Sequence, residues 1–590
     1  MNREGTARLN TLWGRLLVEE LARCGVDFAC VSPGSRSTPL TAAVAGSGRV
    51  EGAVWLDERG AAFHALGRAR ATGRPAALIC TSGTAVANYL PAVVEASQDC
   101  VPLLILTADR PPELIDAGAN QAIRQPGIFG DYVRWSATLP APDEGVPARA
   151  VLSTVDQALH RALGPPAGPV HLNCMFREPL EPAGDPPWPG DLPARWREGH
   201  RPLTNYARPR AVPEDGDLER IAAAMAAAAR GLLVIGDLPS DRDRRAAAAL
   251  AEHLGWPLAA DIRSGLRLGA GPSGRIPHID QILLSTKARA AFAPDVVLHL
   301  GGQPVSKRLA QALAALPDAA LISVQEHPFR HDPEHRISWR VQADLSRFCE
   351  LLAERVASGA AAQAGRWGTP LREWSERAGG AIDAFLSALP LGEIAAARIV
   401  SREIPAGHGL FLGNSMPVRD MEMFADATGA RVRVAANRGA SGIDGTVATA
   451  AGFACGLGRP ATLMVGDLSL LHDLTALIHL RSLPQPLVIV ALNNNGGGIF
   501  HFLPIAAQPE LLDPWFTAPH DVDLSGIRGL FGIPVHRPAS AAEFTSVYRE
   551  ACASGATAII EVRTERNANL AAHRAVGEAV VAAIETASLP

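Results

Sequence analysis

Short apolar runs alternate with stretches of helical periodicity along most of this chain. The runs at 28–31, 54–56, 76–80, 103–107 and 170–172 are mainly apolar, with His171 the exception inside the last, and stop at small or polar residues. Strands buried on both faces of a parallel sheet look like this. The pattern predicts a doubly wound α/β domain over residues 1–180. Residues 181–215 are rich in Pro, Gly and charge and read as a linker. Alternation resumes over 216–355, with strands at 232–235, 296–300 and 321–324. A helical, polar linker over 356–390 then leads to a third α/β domain, 391–590, with strands at 409–412, 461–465 and 486–492. Between the last two, residues 470–483 have helical spacing, which makes one β-α-β crossover. The predicted fold class is α/β, with three doubly wound parallel-sheet domains.

Composition narrows the functional classes. At 590 residues the chain is too long for one core, and 47% apolar content suffices for several. A formal net charge of -5 argues against a nucleic-acid partner. The 8 cysteines are scattered without a Cys-x-x-Cys pair, so buried reduced thiols are expected rather than a disulfide framework or a zinc site. No apolar stretch is long enough for a membrane span and the N-terminus has no secretory pattern, which predicts a cytoplasmic protein.

The most informative chemistry lies between Val465 and Phe500. Gly466-Asp467 ends one predicted strand, and Asn493-Asn494-Asn495-Gly496-Gly497-Gly498 ends the next. Parallel pairing puts both at the carboxyl edge, where open α/β sheets bind ligands. A carboxylate, an amide oxygen and a loop carbonyl near Gly496 suit Mg²⁺, completed by phosphate oxygens. Glycines let the backbone approach those phosphates. Either segment alone is commonly just a turn; both, bracketing one crossover, resemble the thiamine-diphosphate signature, although its usual third Gly is Leu468 here. Such a cofactor also needs a carboxylic acid at its aminopyrimidine. Glu58 sits where a strand gives way to a helix, with Asp57 as the alternative and a helix-dipole acid as the plain reading.

Other strand ends carry cations and small polar residues. Ser35 and Arg36 open a helix after the first strand, either as an anion site or as a cap with a surface Arg. Arg110 ends the strand at 103–107, and Gln121 and Arg124 follow. Asn414, Ser415 and Arg419 follow the strand at 409–412. Arg438 and Ile443 lie in a glycine-rich loop before a predicted helix. Lys307 and Arg308 are a substrate contact or a solvated helix start. So many Arg, Ser and Gln side chains at strand ends point to an acidic substrate with several carboxylates.

Taken together, SPGSRSTPL (32–40), DERGAAFHALG (57–67), TSGTAVANYLPAVVEA (81–96), TADRPPEL (107–114), GANQAIRQPGIF (118–129), NRGASGIDG (437–445), GDLSLLHDL (466–474) and NNNGGGIF (493–500) resemble one family. It is the 2-succinyl-5-enolpyruvyl-6-hydroxy-3-cyclohexene-1-carboxylate synthases of menaquinone biosynthesis, within the thiamine-diphosphate enzymes. Leu468 is what this family has after Gly-Asp. The resemblance implies a carboligating transferase of the transketolase type. It decarboxylates 2-oxoglutarate on thiamine diphosphate and adds the succinyl carbanion equivalent to isochorismate. The metal implied is Mg²⁺, with Mn²⁺ as a substitute, held by Asp467, Asn494 and the Gly496 carbonyl. Glu58 activates the cofactor and Ile443 props its bent shape. Ser82, Gly83, Asn414, Ser415, Met416, Gly442, Gly466, Leu468, Ser469, Gly497 and Ile499 are the further cofactor contacts implied. Ser35, Arg36, Arg110, Gln121, Lys307, Arg308, Asn414, Ser415, Arg419, Arg438, Phe500 and Leu503 are implied for substrate. The family's assembly implies a homodimer with the site between subunits, and a dimer of dimers beyond it.

Three other readings compete. Another thiamine-diphosphate carboligase or decarboxylase is one, although the His-His pair of pyruvate-type decarboxylases and a flavin fingerprint are both missing from the sequence. A non-catalytic cofactor-binding protein is the second. A nicotinamide dehydrogenase is the third, and the segment after the first strand does not supply its Gly-x-Gly-x-x-Gly.

Overall fold

The computed structural model describes residues 2–357 and 364–586. They form three sheets in which every pairing between strands is parallel. The first contains β1 (Phe28–Val31), β2 (Glu51–Val54), β3 (Ala76–Cys80), β4 (Leu103–Asp109), β5 (Trp135–Leu139) and β6 (Pro169–Met175). Its order is β2-β1-β3-β4-β6-β5. The second contains β7 (Gly231–Ile235), β8 (Leu258–Ala260), β9 (Val296–Leu300), β10 (Ala320–Gln325) and β11 (Trp339–Gln342), in the order β11-β10-β9-β7-β8. The third contains β12 (Gly409–Leu412), β13 (Arg433–Ala436), β14 (Ala461–Gly466), β15 (Leu487–Asn493), β16 (Val535–His536) and β17 (Ala558–Arg563). Its order, β13-β12-β14-β15-β17-β16, repeats the first sheet strand for strand. Central strands such as β3, β4 and β15 are buried along most of their length and are mainly apolar, with polar residues confined to the carboxyl ends of β4 and β15.

Five helices position the site: α1 (Glu58–Thr72), α2 (Glu393–Glu403), α3 (Met416–Phe424), α4 (Thr446–Leu457) and α5 (Asp467–His472). The chain divides into two compact units. One is Met1–Arg208 with Asn437–Arg459 and Leu471–Pro486; it holds the first sheet, α1 and α4. The other is Pro209–Ala436 with Pro460–Leu470 and Leu487–Pro590; it holds the other two sheets, α2 and α3. In the first unit α1 and α4 touch backbone to backbone. A Cβ on Gly67 would lie 2.0 Å from the Thr449 carbonyl oxygen, and one on Gly452 would lie 1.9 Å from that of His64. Among the described residues no helix is long and apolar enough to cross a membrane. All eight cysteines are free.

Some elements differ from the sequence reading. The strand expected at 54–56 forms earlier, at Glu51–Val54. Trp55 turns inward and is buried, and the Leu56 N–H donates to His479 rather than to a strand. The helix expected over 470–483 is broken into α5, a 3-10 turn at Leu474–Ala476 and a turn at Leu477–Leu480. At the break the buried Asp473 carboxylate accepts the Ala448 N–H at 2.8 Å, fastening the segment to α4. Within the 356–390 linker, Thr369–Leu386 is one helix, and 358–363 lie outside the described residues. Strands β5, β8, β11, β13, β16 and β17 are additions. Most are short or at edges; β17 is central, but Glu561 interrupts its apolar run and pairs there with Arg537 and Arg563.

Candidate active site

In the second unit, β14 and β15 run side by side with Gly466 opposite Leu492, so Asp467 and Asn494 leave the same edge. Asp467 is 2% exposed. Its Oδ1 accepts the Leu468 N–H at 2.7 Å and its Oδ2 accepts the Gly496 N–H at 2.9 Å. His520 Nε2 stands 3.3 Å from Oδ2. Because His520 Nδ1 accepts the Val522 N–H at 3.0 Å, a neutral ring carries its proton on Nε2, facing Asp467.

Asn494 is also buried. Its Nδ2 donates to Glu393 Oε1 at 2.9 Å, whereas no donor among the described residues reaches its Oδ1. A buried, unsatisfied oxygen costs about 1–3 kcal/mol, which a cation there would offset. Gly496 has φ +136°, and a Cβ on it would lie 2.2 Å from the Thr517 carbonyl oxygen, so only glycine fits this turn. The Gly497 N–H donates to that same oxygen at 2.6 Å. Carboxylate, amide and carbonyl oxygens gathered at one sheet edge fit Mg²⁺, and Mn²⁺ equally, held against a diphosphate. Among the described residues no three His, Cys, Asp or Glu side chains converge on a metal position.

Around that centre, β12 pairs with β14, which brings Asn414, Ser415 and Met416 to the neighbouring strand end. Ser415 adopts φ 69° and accepts, through its carbonyl, a bond from Arg419 Nη1. Burial holds the Arg419 guanidinium below its ordinary range. Leu468 and Ser469 lie on α5, and Ile499 and Phe500 on the 3-10 turn Gly498–Phe502. Phe500 meets Phe516 edge-on at 5.5 Å, and Leu503 is exposed. Lys307 and Arg308 open a helix after β9, in the second sheet rather than the third. Arg308 is engaged by the buried Asp280.

In the first unit Glu58 is half-buried and is the first residue of α1. Asp57 is the cap: it accepts the Arg59 N–H at 2.9 Å and the Thr475 hydroxyl at 3.0 Å. Ser82 and Gly83 follow β3 and Arg110 follows β4, and these strands are neighbours. A buried relay fixes them. The Gly83 N–H donates to Gln125, Gln125 to Asn173, and Asn173 to Asp109, at 3.0, 2.8 and 2.9 Å. Asp109 in turn accepts the Arg110 N–H at 2.7 Å. Arg110 also donates to the Ser82 hydroxyl, and Gln121 reaches the Ser82 carbonyl at 3.4 Å. Arg36, 6% exposed, pairs with Glu178 and donates to the Phe176 carbonyl, both at 3.0 Å. Ser35 is exposed at the start of that turn. Burial, and then the nearby Arg36, hold Arg110 below its ordinary range; two buried guanidiniums so close favour an anion. In the loop with Arg438, Gly442 and Ile443, the Gly439 and Ala440 N–H groups donate to Glu95 at 2.9 and 2.6 Å. Ile443 is 38% exposed there. The Asp467, Asn494 and Gly496 group thus lies in the second unit, and Glu58, Arg36, Arg110 and Ile443 in the first.

Sequence reasoning passed over Glu393, His520 and the Gln125–Asn173–Asp109 relay. Glu393 begins a helix, which in sequence is indistinguishable from an ordinary first-turn acid. His520 lies 53 residues from Asp467, outside the motifs that carry the resemblance.

Known proteins settle the family. Residues 13–128 match the model for the N-terminal TPP binding domain of thiamine pyrophosphate enzymes. Residues 188–412 match the thiamine pyrophosphate middle domain, and 420–562 the C-terminal TPP binding domain. A protein of Rubrobacter xylanophilus named 2-succinyl-5-enolpyruvyl-6-hydroxy-3-cyclohexene-1-carboxylate synthase is 53% identical, over 97% of this chain and 98% of its own. Namesakes from Chlorobaculum tepidum and Salinibacter ruber are each 46% identical, over 96% and 97% of this chain and 97% of their own. The chain belongs to this synthase family. Thiamine diphosphate is accordingly the cofactor of the synthase fold described above, and the oxygen set at Asp467 and Asn494 is of the kind that its metal requires.

Proposed function

We propose that this chain catalyses the reaction named by its relatives: joining a succinyl unit from 2-oxoglutarate to isochorismate, with loss of CO₂, in menaquinone biosynthesis. The observation that carries the site assignment is the buried Asn494 oxygen, which meets no donor among the described residues and lies on the same sheet edge as the Asp467 carboxylate. Asp467, Asn494 and the Gly496 carbonyl hold Mg²⁺, and through it the diphosphate. Gly466, Leu468, Ser469, Gly497 and Ile499 line that end. When bound, thiamine diphosphate supplies the carbon nucleophile and the electron sink that 2-oxo acid decarboxylation needs.

The chain's own residues do the rest. Glu58 holds a proton at the aminopyrimidine ring, and Ile443 supports the cofactor's bent form. Ser82, Gly83, Met416 and Gly442 complete its contacts. Arg36, Arg110, Arg419 and Arg438, with Ser35, Gln121, Asn414 and Ser415, bind and orient carboxylates and hydroxyls. Lys307, Arg308, Phe500 and Leu503 complete the substrate contacts. A buried carboxylate without such cations would cost several kcal/mol. Conjugate addition makes this a carboligating transferase of the transketolase type. The same reading takes 1–180, 216–355 and 391–590 as the pyrimidine, central and diphosphate domains. It includes a homodimer with the site completed between subunits, a dimer of dimers, and a cytoplasmic location.

The test is product analysis by mass spectrometry after incubation with both substrates, thiamine diphosphate and Mg²⁺. An adduct of the summed masses less CO₂ is expected from 2-oxoglutarate and not from pyruvate. Adduct from pyruvate alone would move the protein to another carboligase branch.

A further inference from the structure

An amide has two ends of nearly the same shape, and which end faces a cation is set by what holds the other. We propose that Glu393 is a positioning residue for the metal site: it holds the Asn494 side chain so that oxygen, and not nitrogen, faces the cation. The inference rests on the metal reading given above.

The geometry supports it in three ways. First, Glu393 Oε1 accepts twice, from Asn494 Nδ2 at 2.9 Å and from the Thr564 hydroxyl at 3.0 Å. An oxygen bonded by two donors stays an acceptor whether or not the other carboxyl oxygen carries a proton. The Asn494 nitrogen is therefore the end drawn to Glu393. Second, the opposite end, Oδ1, is buried and meets no donor among the described residues. Third, the nitrogen end is tightly enclosed: a Cβ on Gly498 would lie 2.5 Å from Asn494 Nδ2. Glu393 itself is 1% exposed and is the first residue of α2. The Thr564 N–H donates to the Asn493 carbonyl at 2.9 Å, which ties the second donor to the same strand end as Asn494. Partners of this kind, which hold a ligand without touching the metal, commonly change metal affinity by about 10–100-fold when removed. The plainer alternative is that Glu393 only fills the start of a buried helix.

The test is Mn²⁺ titration by electron paramagnetic resonance on the full chain with thiamine diphosphate present. It would use Glu393→Met, Glu393→Gln, Asn494→Ala and the Glu393→Met/Asn494→Ala double variant. Methionine keeps the volume and removes the acceptor; glutamine keeps an acceptor oxygen. Glu393→Met should weaken Mn²⁺ by about 10–100-fold, and Glu393→Gln should restore most of it. The double variant should bind no worse than Asn494→Ala alone, because both changes remove one interaction. A folded Glu393→Met protein with wild-type Mn²⁺ affinity, or losses that multiply in the double variant, overturns the proposal. If Glu393→Met does not fold, Gly498→Ala displaces the amide while leaving Glu393 in place; it should weaken Mn²⁺ about tenfold, and unchanged affinity overturns the proposal equally. Unchanged affinity in Asn494→Ala would instead remove the metal reading itself, a failure the single variants tell apart.

Discussion

Gly452→Ala should separate a packing contact from a chemical role. Gly452 lies in α4, and the Cβ of an alanine there would stand 1.9 Å from the His64 carbonyl oxygen, 2.8 Å from its carbon and 3.1 Å from the Arg68 nitrogen. All three are backbone atoms of α1, so no side chain can swing away. Ordinary contact needs about 3.5 Å, so the helices must part by roughly 1.5 Å. Overpacking of this kind costs ~1–3 kcal/mol, and alanine's better helix propensity returns up to ~1 kcal/mol. A net loss of about 1–2 kcal/mol is expected. α1 begins with Glu58 and α4 follows the loop that carries Ile443, so the shift moves two candidate cofactor contacts. A displacement near 1 Å can cost about 10²-fold in rate. Denaturant melts and turnover at saturating cofactor would read the two effects. Gly380→Ala is the control: Gly380 is exposed within Thr369–Leu386, no atom of the described residues lies inside 4 Å of the added Cβ, and alanine there should stabilise by up to ~1 kcal/mol. A Gly452→Ala protein as stable and as active as the parent would refute the claim that this contact sets the site.

Three further outcomes are expected. Glu58→Gln should bind thiamine diphosphate normally in calorimetry yet turn over at least ~10²-fold more slowly; near-normal turnover would remove Glu58 from the chemistry. Asp467→Ala should abolish Mg²⁺-dependent cofactor binding, and an unchanged calorimetric affinity would contradict the metal assignment. Glu20 gives a pH dependence. Burial, reinforced by Asp156, pushes its carboxyl from 4.5 up to about 8. The folded state then keeps a proton that the unfolded chain releases. The stability from Glu20 is complete below pH 4.5 and falls as pH rises to about 8, by at most ~1.4 kcal/mol per pH unit. The Leu203 N–H and Trp196 Nε1 donate to the two different oxygens of Glu20, of which Glu20→Gln keeps one; the variant should be less stable at low pH, but without the titrating proton it should flatten melting against pH across that window. An unaltered slope would show that Glu20 does not titrate there.

The sheets were legible where burial left only apolar residues. β1 and β3 occupy the spans that the runs predict, because a strand covered on both faces favours apolar residues throughout; β9 does so too, with His299 as its single polar residue. Legibility failed at edges and interruptions. Trp55 looks like strand and turns into the core, and Glu561 hides β17 by placing a charge in its apolar run, held there by Arg563 of the same strand and by Arg537 from outside it. For the site, Asp467 and Asn494 could be paired in advance, since one parallel crossover forces their strand ends together. Glu393 could not. Its meeting with Asn494 joins residues 101 apart, and its own surroundings read as a plain helix start.

The most direct measurement is CO₂ release from 2-oxoglutarate by the purified protein with thiamine diphosphate and Mg²⁺, with and without isochorismate. The account predicts release that rises sharply when isochorismate is added, with one adduct formed per CO₂. Release from no 2-oxo acid under either condition would contradict it and leave a thiamine-diphosphate fold that binds without catalysing.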